Sequence, residues 1–132
     1  MTTGIVVWAH GSRIESANEA VRLVARELAR TGGFLLVEAA FLELGHPDME
    51  EAVARLADQG ALRVIILPYF LTLGTHLERD LPRIVQAVAE RHPGIELRVS
   101  GPLDGHPGLV RILIDRAGEA LNSSAQELTK PH

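Results

Sequence analysis

Ile5-Val6-Val7-Trp8-Ala9 is an unbroken apolar run that stops at His10-Gly11-Ser12-Arg13, after which the hydrophobic spacing changes period. A strand buried on both faces reads this way, because neither side of it offers polar residues to solvent. Leu62–Pro68 has the same character, and Leu35–Leu42 and Ile95–Val99 complete a set of four strand-like runs. Between the runs the spacing is helical. Ala17, Val21, Val24 and Leu28 predict one face of a first helix. Met49, Ala52, Val53 and Leu56 predict a second, with Asp48 as its N-cap and Gly60 closing it. Leu81, Ile84, Val85 and Val88 predict a third, with Asp80 as its cap and Pro82 in the first turn, where a missing N–H is tolerated. Leu109, Val110, Leu113, Ile114, Ala117 and Leu121 predict a fourth, opened by Pro107.

Strands alternating with helices through short connections imply a parallel sheet, because right-handed crossovers return each helix to a face of that sheet. The expectation is one α/β domain over residues 1–121, a three-layer fold with a four-stranded parallel sheet and helices on both faces. A polar tail follows at 122–132. Pattern alone leaves the strand order open.

Composition narrows the function. The chain of 132 residues suffices for one hydrophobic core, with 46% hydrophobic and 23% charged residues, and it has no cysteine for a disulfide or thiolate site. Thirteen Lys and Arg against seventeen Asp and Glu give a net charge of -4, and aromatics are only 4%. That balance argues against generic binding to nucleic acid or anionic membranes, and against a base-stacking platform. No GxxxxGK[ST] phosphate loop is present. Ile5–Ala9 is too short for a signal-peptide core or a membrane span, so the expected location is cytoplasmic.

Ligands of open α/β sheets bind beyond the carboxyl ends of the strands. The first exit carries His10-Gly11-Ser12-Arg13, the second Glu43-Leu44-Gly45-His46-Pro47, and the third leads to Thr75-His76 and Arg79-Asp80. Each residue alone has an ordinary reading: a loop or capping histidine, a solvated acid, an N-cap serine. Together, His10, Glu43 and His76 place two imidazoles and a carboxylate at three exits. That donor set suits Co, Ni, Fe or Zn better than Mg or Ca, which prefer oxygen shells. Ser12 and Arg13 could bind an anion at a helix N-terminus, and Arg79 and Arg83 are either solvated or a cationic rim. His46 is open between metal contact and loop residue, since Gly45 and Pro47 oppose a helical Glu-x-x-His motif. His92 and His106, beside prolines at helix boundaries, read as capping or solvent-exposed residues. His132 is the terminal residue.

These residues also carry a resemblance. Ala9-His10-Gly11-Ser12-Arg13 with Asn18, Phe41-Leu42-Glu43 before Pro47, then Pro68-Tyr69-Phe70-Leu71, Gly74, His76 and Asp80-Leu81-Pro82 resemble the short-form sirohydrochlorin cobaltochelatases (CbiX-type, class II chelatases) over roughly residues 4 to 121. The resemblance implies a flavodoxin-like sheet and ATP-independent insertion of a divalent metal, Co2+ first, into sirohydrochlorin in cobalamin synthesis. Ni2+ or Fe2+ insertion into the same substrate, or a non-catalytic metal or tetrapyrrole carrier, are the alternatives. It makes His10 and His76 metal-binding histidines and Glu43 their acidic partner. No cofactor is implied beyond the metal substrate. Long-form relatives hold two such halves, so a homodimer is expected. For the substrate's carboxylates the candidate donors are Ser12, Arg13 and Arg79; for its apolar ring, Leu44, Leu71 and Leu73. Trp8 is bulkier than the aliphatic residue expected before Ala9, and the tail has no histidine-rich stretch. A phosphoryl-accepting His10 would want an arginine at position 9, where Ala9 stands.

Overall fold

A computed structural model describes residues 2–123. The tail expected at 122–132, with His132, therefore lies outside the described residues except for Asn122 and Ser123. The elements run β1 (Thr3–Ala9), α1 (Glu15–Gly32), β2 (Leu36–Phe41), α2 (Met49–Asp58), β3 (Arg63–Pro68), α3 (Thr75–Arg91), β4 (Glu96–Val99) and α4 (Gly108–Leu121). All pairings are parallel, in the order β2-β1-β3-β4. The strand runs sit where the sequence puts them, with ends shifted by one or two residues.

The chain divides into two compact units, Met1–Pro102 and Leu103–His132. In the first, alternate residues of β1 face opposite layers, as a strand's period of two demands. Val6 and Trp8 join one core cluster with Ala40, with Met49, Ala52, Val53 and Leu56 of α2, and with Leu81 and Val88 of α3. Val7 and Ala9 join the other with Ala39, Phe41 and Ala25 of α1. Helix α1 covers one face, and α2 and α3 cover the other, giving three layers. The second unit contains α4, with Pro107 at its N-cap position and His106 Nδ1 accepting the Gly108 N–H at 2.9 Å. Its Val110, Leu113 and Ile114 are exposed.

Helix α2 matches its sequence reading: the four stripe residues are buried and Asp48 accepts the Glu51 N–H at 2.9 Å. Two readings need correction. The third helix starts at Thr75, not at Asp80, so Pro82 lies inside it. Leu77 packs against the same cluster as Leu81, so one more turn buries one more apolar side chain. Against that gain stands the single hydrogen bond Pro82 cannot donate to the carbonyl of Glu78. On α1, Ala17 and Val24 are exposed, while Asn18, Val21, Ala25 and Leu28 face the sheet. A polar residue occupies a core position there, and the site explains why.

Candidate metal-handling site

The carboxyl ends of β2, β1 and β3 are neighbours, with β1 in the middle. The direction in which strands are added reverses about β1: the segment after β1 enters α1 on one face, and that after β3 enters α3 on the other. A switch point of this kind leaves a crevice between diverging loops. His10 leaves β1 on one side of it, and His76 is the second residue of α3 on the other.

The β1–β2 ladder continues past both strand ends. Leu42 N–H donates to Ala9 O at 3.0 Å, and Glu43 N–H to His10 O at 3.1 Å. This continuation needs Gly11, whose φ is +96° and where an added Cβ would lie 1.6 Å from the Glu43 carbonyl oxygen. Only glycine lets the two backbones approach so closely. In consequence the Glu43 carboxylate comes within 3.8 Å of His10 Nδ1, which also lies 3.3 Å from the Gly11 carbonyl oxygen. Both neighbours are acceptors, an environment that favours the tautomer with its proton on Nδ1. In that tautomer the Nε2 lone pair is free to act as a donor. Both side chains are more than half exposed, 58% and 61%, so the pair adds little to stability.

Asn18 holds this corner together. Its Oδ1 accepts the Ser12 N–H at 2.9 Å, and its Nδ2 donates to Ser12 O at 2.8 Å and to Leu44 O at 2.9 Å. One buried amide thus ties the exit of β1 to the exit of β2, where Leu44 holds a positive φ of 58°. Asn18→Ala should orphan these groups and lower unfolding stability by about 2–3 kcal/mol in urea titration. A loss below about 0.5 kcal/mol, the usual size for an indifferent surface change, would show the amide to be dispensable.

Arg22, one turn further along α1, went unread in the sequence. Its guanidinium lies 5.2 Å from the Phe41 ring centroid and donates to Glu15 at 2.5 Å, to Glu19 at 3.2 Å and to His46 O at 3.3 Å. These hydrogen bonds hold the Glu15 and Glu19 carboxyls below the ordinary glutamate range; for Glu19 the larger contribution is from Arg26. The Glu15-x-x-Asn18-x-x-x-Arg22 spacing, one helix face, was the available signal. Arg22 lines a cleft of about 610 Å³ with Glu43, Leu44 and His46.

The remaining candidates are more dispersed. Ser12 Oγ accepts the Ile14 N–H at 3.0 Å, so it shapes the turn before α1 and does not cap the helix. Arg13, Arg79 and Arg83 are exposed, as are His76, Leu44 and Leu71, while Leu73 packs against the core. His46 is exposed, with Nδ1 4.0 Å from Glu51. His92 pairs with Glu50 at 3.0 Å. Among the described residues no three His, Asp or Glu side chains form a ready-made metal cluster. The structure brings His10 to Glu43, while His76 stands exposed in the first turn of α3.

Residues 4–120 match the CbiX family model. The chain belongs to the CbiX family. The sirohydrochlorin cobaltochelatase of Methanopyrus kandleri is 30% identical over 137 residues, covering 89% of this chain and 96% of that one. The chloroplastic sirohydrochlorin ferrochelatase of Arabidopsis thaliana is 31% identical over 119 residues, 90% of this chain and 53% of its own length. This CbiX-family chain thus spans about half of the plant relative and nearly all of the archaeal one. The crystal structure of a CbiX protein from Marinobacter aquaeolei VT8 superposes with a TM-score of 0.81 at 27% identity, over 92% of this chain and 99% of that one. The sheet, the switch point and the family belong together.

Proposed function

We propose that this chain inserts a divalent metal, Co2+ foremost, into sirohydrochlorin without ATP. The observation that carries the reading is the His10 corner: a carboxylate and a carbonyl oxygen both face Nδ1, which favours Nε2 as the metal donor, at the switch point of a CbiX-family sheet. His10 and His76 replace part of the hydration shell of the metal substrate and leave positions open for the ring nitrogens. Pyrrole protons must depart as those bonds form. Glu43, whose carboxylate lies 3.8 Å from His10 Nδ1, is the group assigned to receive them directly. Desolvation and positioning supply the rate, with no covalent intermediate and no cofactor beyond the metal substrate. Since Arg22 is already neutralised by two carboxylates, Arg13 and Arg79 are the donors for the carboxylates of the macrocycle. Leu44 and Leu71, exposed at two strand exits, offer apolar contact to the ring.

The test is turnover of sirohydrochlorin with Co2+, Ni2+ and Fe2+, followed by visible absorbance. Many metallated products per chain, fastest with Co2+, are expected. A single equivalent per chain would identify a carrier, and a maximum with Ni2+ or Fe2+ would reassign the metal.

The working assembly in this reading is a homodimer in the cytoplasm. Its support is the chain's half-length relation to the plant relative and the exposed apolar side chains of α4. No described helix is long and apolar enough to cross a membrane. Sedimentation equilibrium at micromolar concentration should give twice the mass of the chain; a fully active monomer would refute the assembly.

A further inference from the structure

The segment between β2 and α2, residues 42–48, carries Glu43 and folds back on the end of β2. The Phe41 N–H donates to Pro47 O at 2.9 Å, and Phe41 is buried. Gly45 lies against its ring, where an added Cβ would come 2.9 Å from Phe41 Cγ. Helix α1 reaches this segment through two side chains one turn apart: Asn18 donates to Leu44 O, and Arg22 Nη2 to His46 O at 3.3 Å. The Arg22 side chain is only 25% exposed, and its other nitrogen, Nη1, donates to Glu15 and Glu19. Those two carboxylates belong to α1 itself, so they fix the guanidinium to the helix. His46 O and the Phe41 ring, 5.2 Å away, belong to the strand end and its loop. A planar fork with separate donors can serve both sides at once, whereas an ammonium is one point charge without a flat face.

We propose that Arg22 is a positioning residue for metal insertion, a strut between α1 and segment 42–48 that keeps the Glu43 carboxylate 3.8 Å from His10 Nδ1. On its N-terminal side Glu43 is tied by its own N–H to His10 O. On its C-terminal side the chain is fixed where Arg22 takes His46 O and Phe41 takes Pro47 O. The guanidinium is committed to holding the loop, and it acts on the chemistry through Glu43. The effect on rate rests on the chelatase reading above; the strut does not.

Arg22→Lys keeps the charge and removes the fork, and Arg22→Gln removes both. In hydrogen exchange of the metal-free full chain, each should speed the Phe41, Leu42 and Glu43 amides at least about tenfold and leave the β3 amides unchanged. With Co2+ and sirohydrochlorin, kcat should fall about tenfold while KM for sirohydrochlorin stays within about twofold, since a misplaced group costs rate rather than binding. In a Glu43→Gln background, Arg22→Lys should add no further loss. Wild-type exchange of the three amides in both variants would overturn the strut. A loss carried by KM, or a further loss in the Glu43→Gln background, would overturn the action through Glu43. A wild-type chain that inserts no metal would overturn the chelatase reading and the rate effect with it, while exchange still decides the strut.

Discussion

A folded His10→Ala, His76→Ala double variant should insert Co2+ into sirohydrochlorin no faster than the spontaneous background, and each single variant should lose at least about tenfold. Tenfold corresponds to about 1.4 kcal/mol of transition-state stabilisation. The expectation follows from geometry. Two acceptors face His10 Nδ1, which favours Nε2 as its free donor, and His76 stands at the start of α3, on the opposite face of the sheet from α1. Neither side chain is buried, so the substitutions should leave unfolding stability within about 0.5 kcal/mol of wild type. Glu43→Gln should cost as much as the histidine changes if the carboxylate receives the pyrrole proton, and clearly less if it only orients His10. A double variant that matches the wild-type rate would remove the histidines from the chemistry.

Gly11→Ala should be nearly as damaging without touching a donor atom. The new Cβ would meet the Glu43 carbonyl oxygen at 1.6 Å and its carbon at 2.8 Å, both backbone atoms that cannot swing aside. The positive φ adds strain of about 1–3 kcal/mol. The exits of β1 and β2 must separate, so Glu43 leaves His10 and metal insertion should fall at least about tenfold. Gly94→Ala, where an added Cβ meets nothing, is the control for backbone stiffening. Wild-type stability and activity in Gly11→Ala would mean that the close approach has no functional weight.

Residues that report their environment through hydrophobic spacing were legible in the sequence. Met49, Ala52, Val53 and Leu56 are buried as their period required, and Asp48 caps them. Strand exits were legible too, which is how His10 and Glu43 were found together before any geometry. What periodicity hides is a polar residue on a buried face. Asn18 is buried because its amide satisfies backbone groups of Ser12 and Leu44, one of them 26 residues away. An apolar scan therefore shifted the α1 stripe onto Ala17 and Val24. The start of α3 was missed for a different reason. Pro82 looks like a first-turn residue, and only the packing of Leu77 shows that the helix continues through it. Strand order was beyond pattern altogether, since each crossover can return on either side of its parent strand. The order β2-β1-β3-β4 is what puts His10 between the other two exits.

The central claim, that His10 and His76 share the metal substrate, is tested most directly by X-ray absorption of Co2+ bound to the chain without tetrapyrrole. The account predicts imidazole scattering from both histidines in the wild type, reduced by either single alanine substitution and absent from the double variant. Undiminished imidazole scattering in the folded double variant would contradict it.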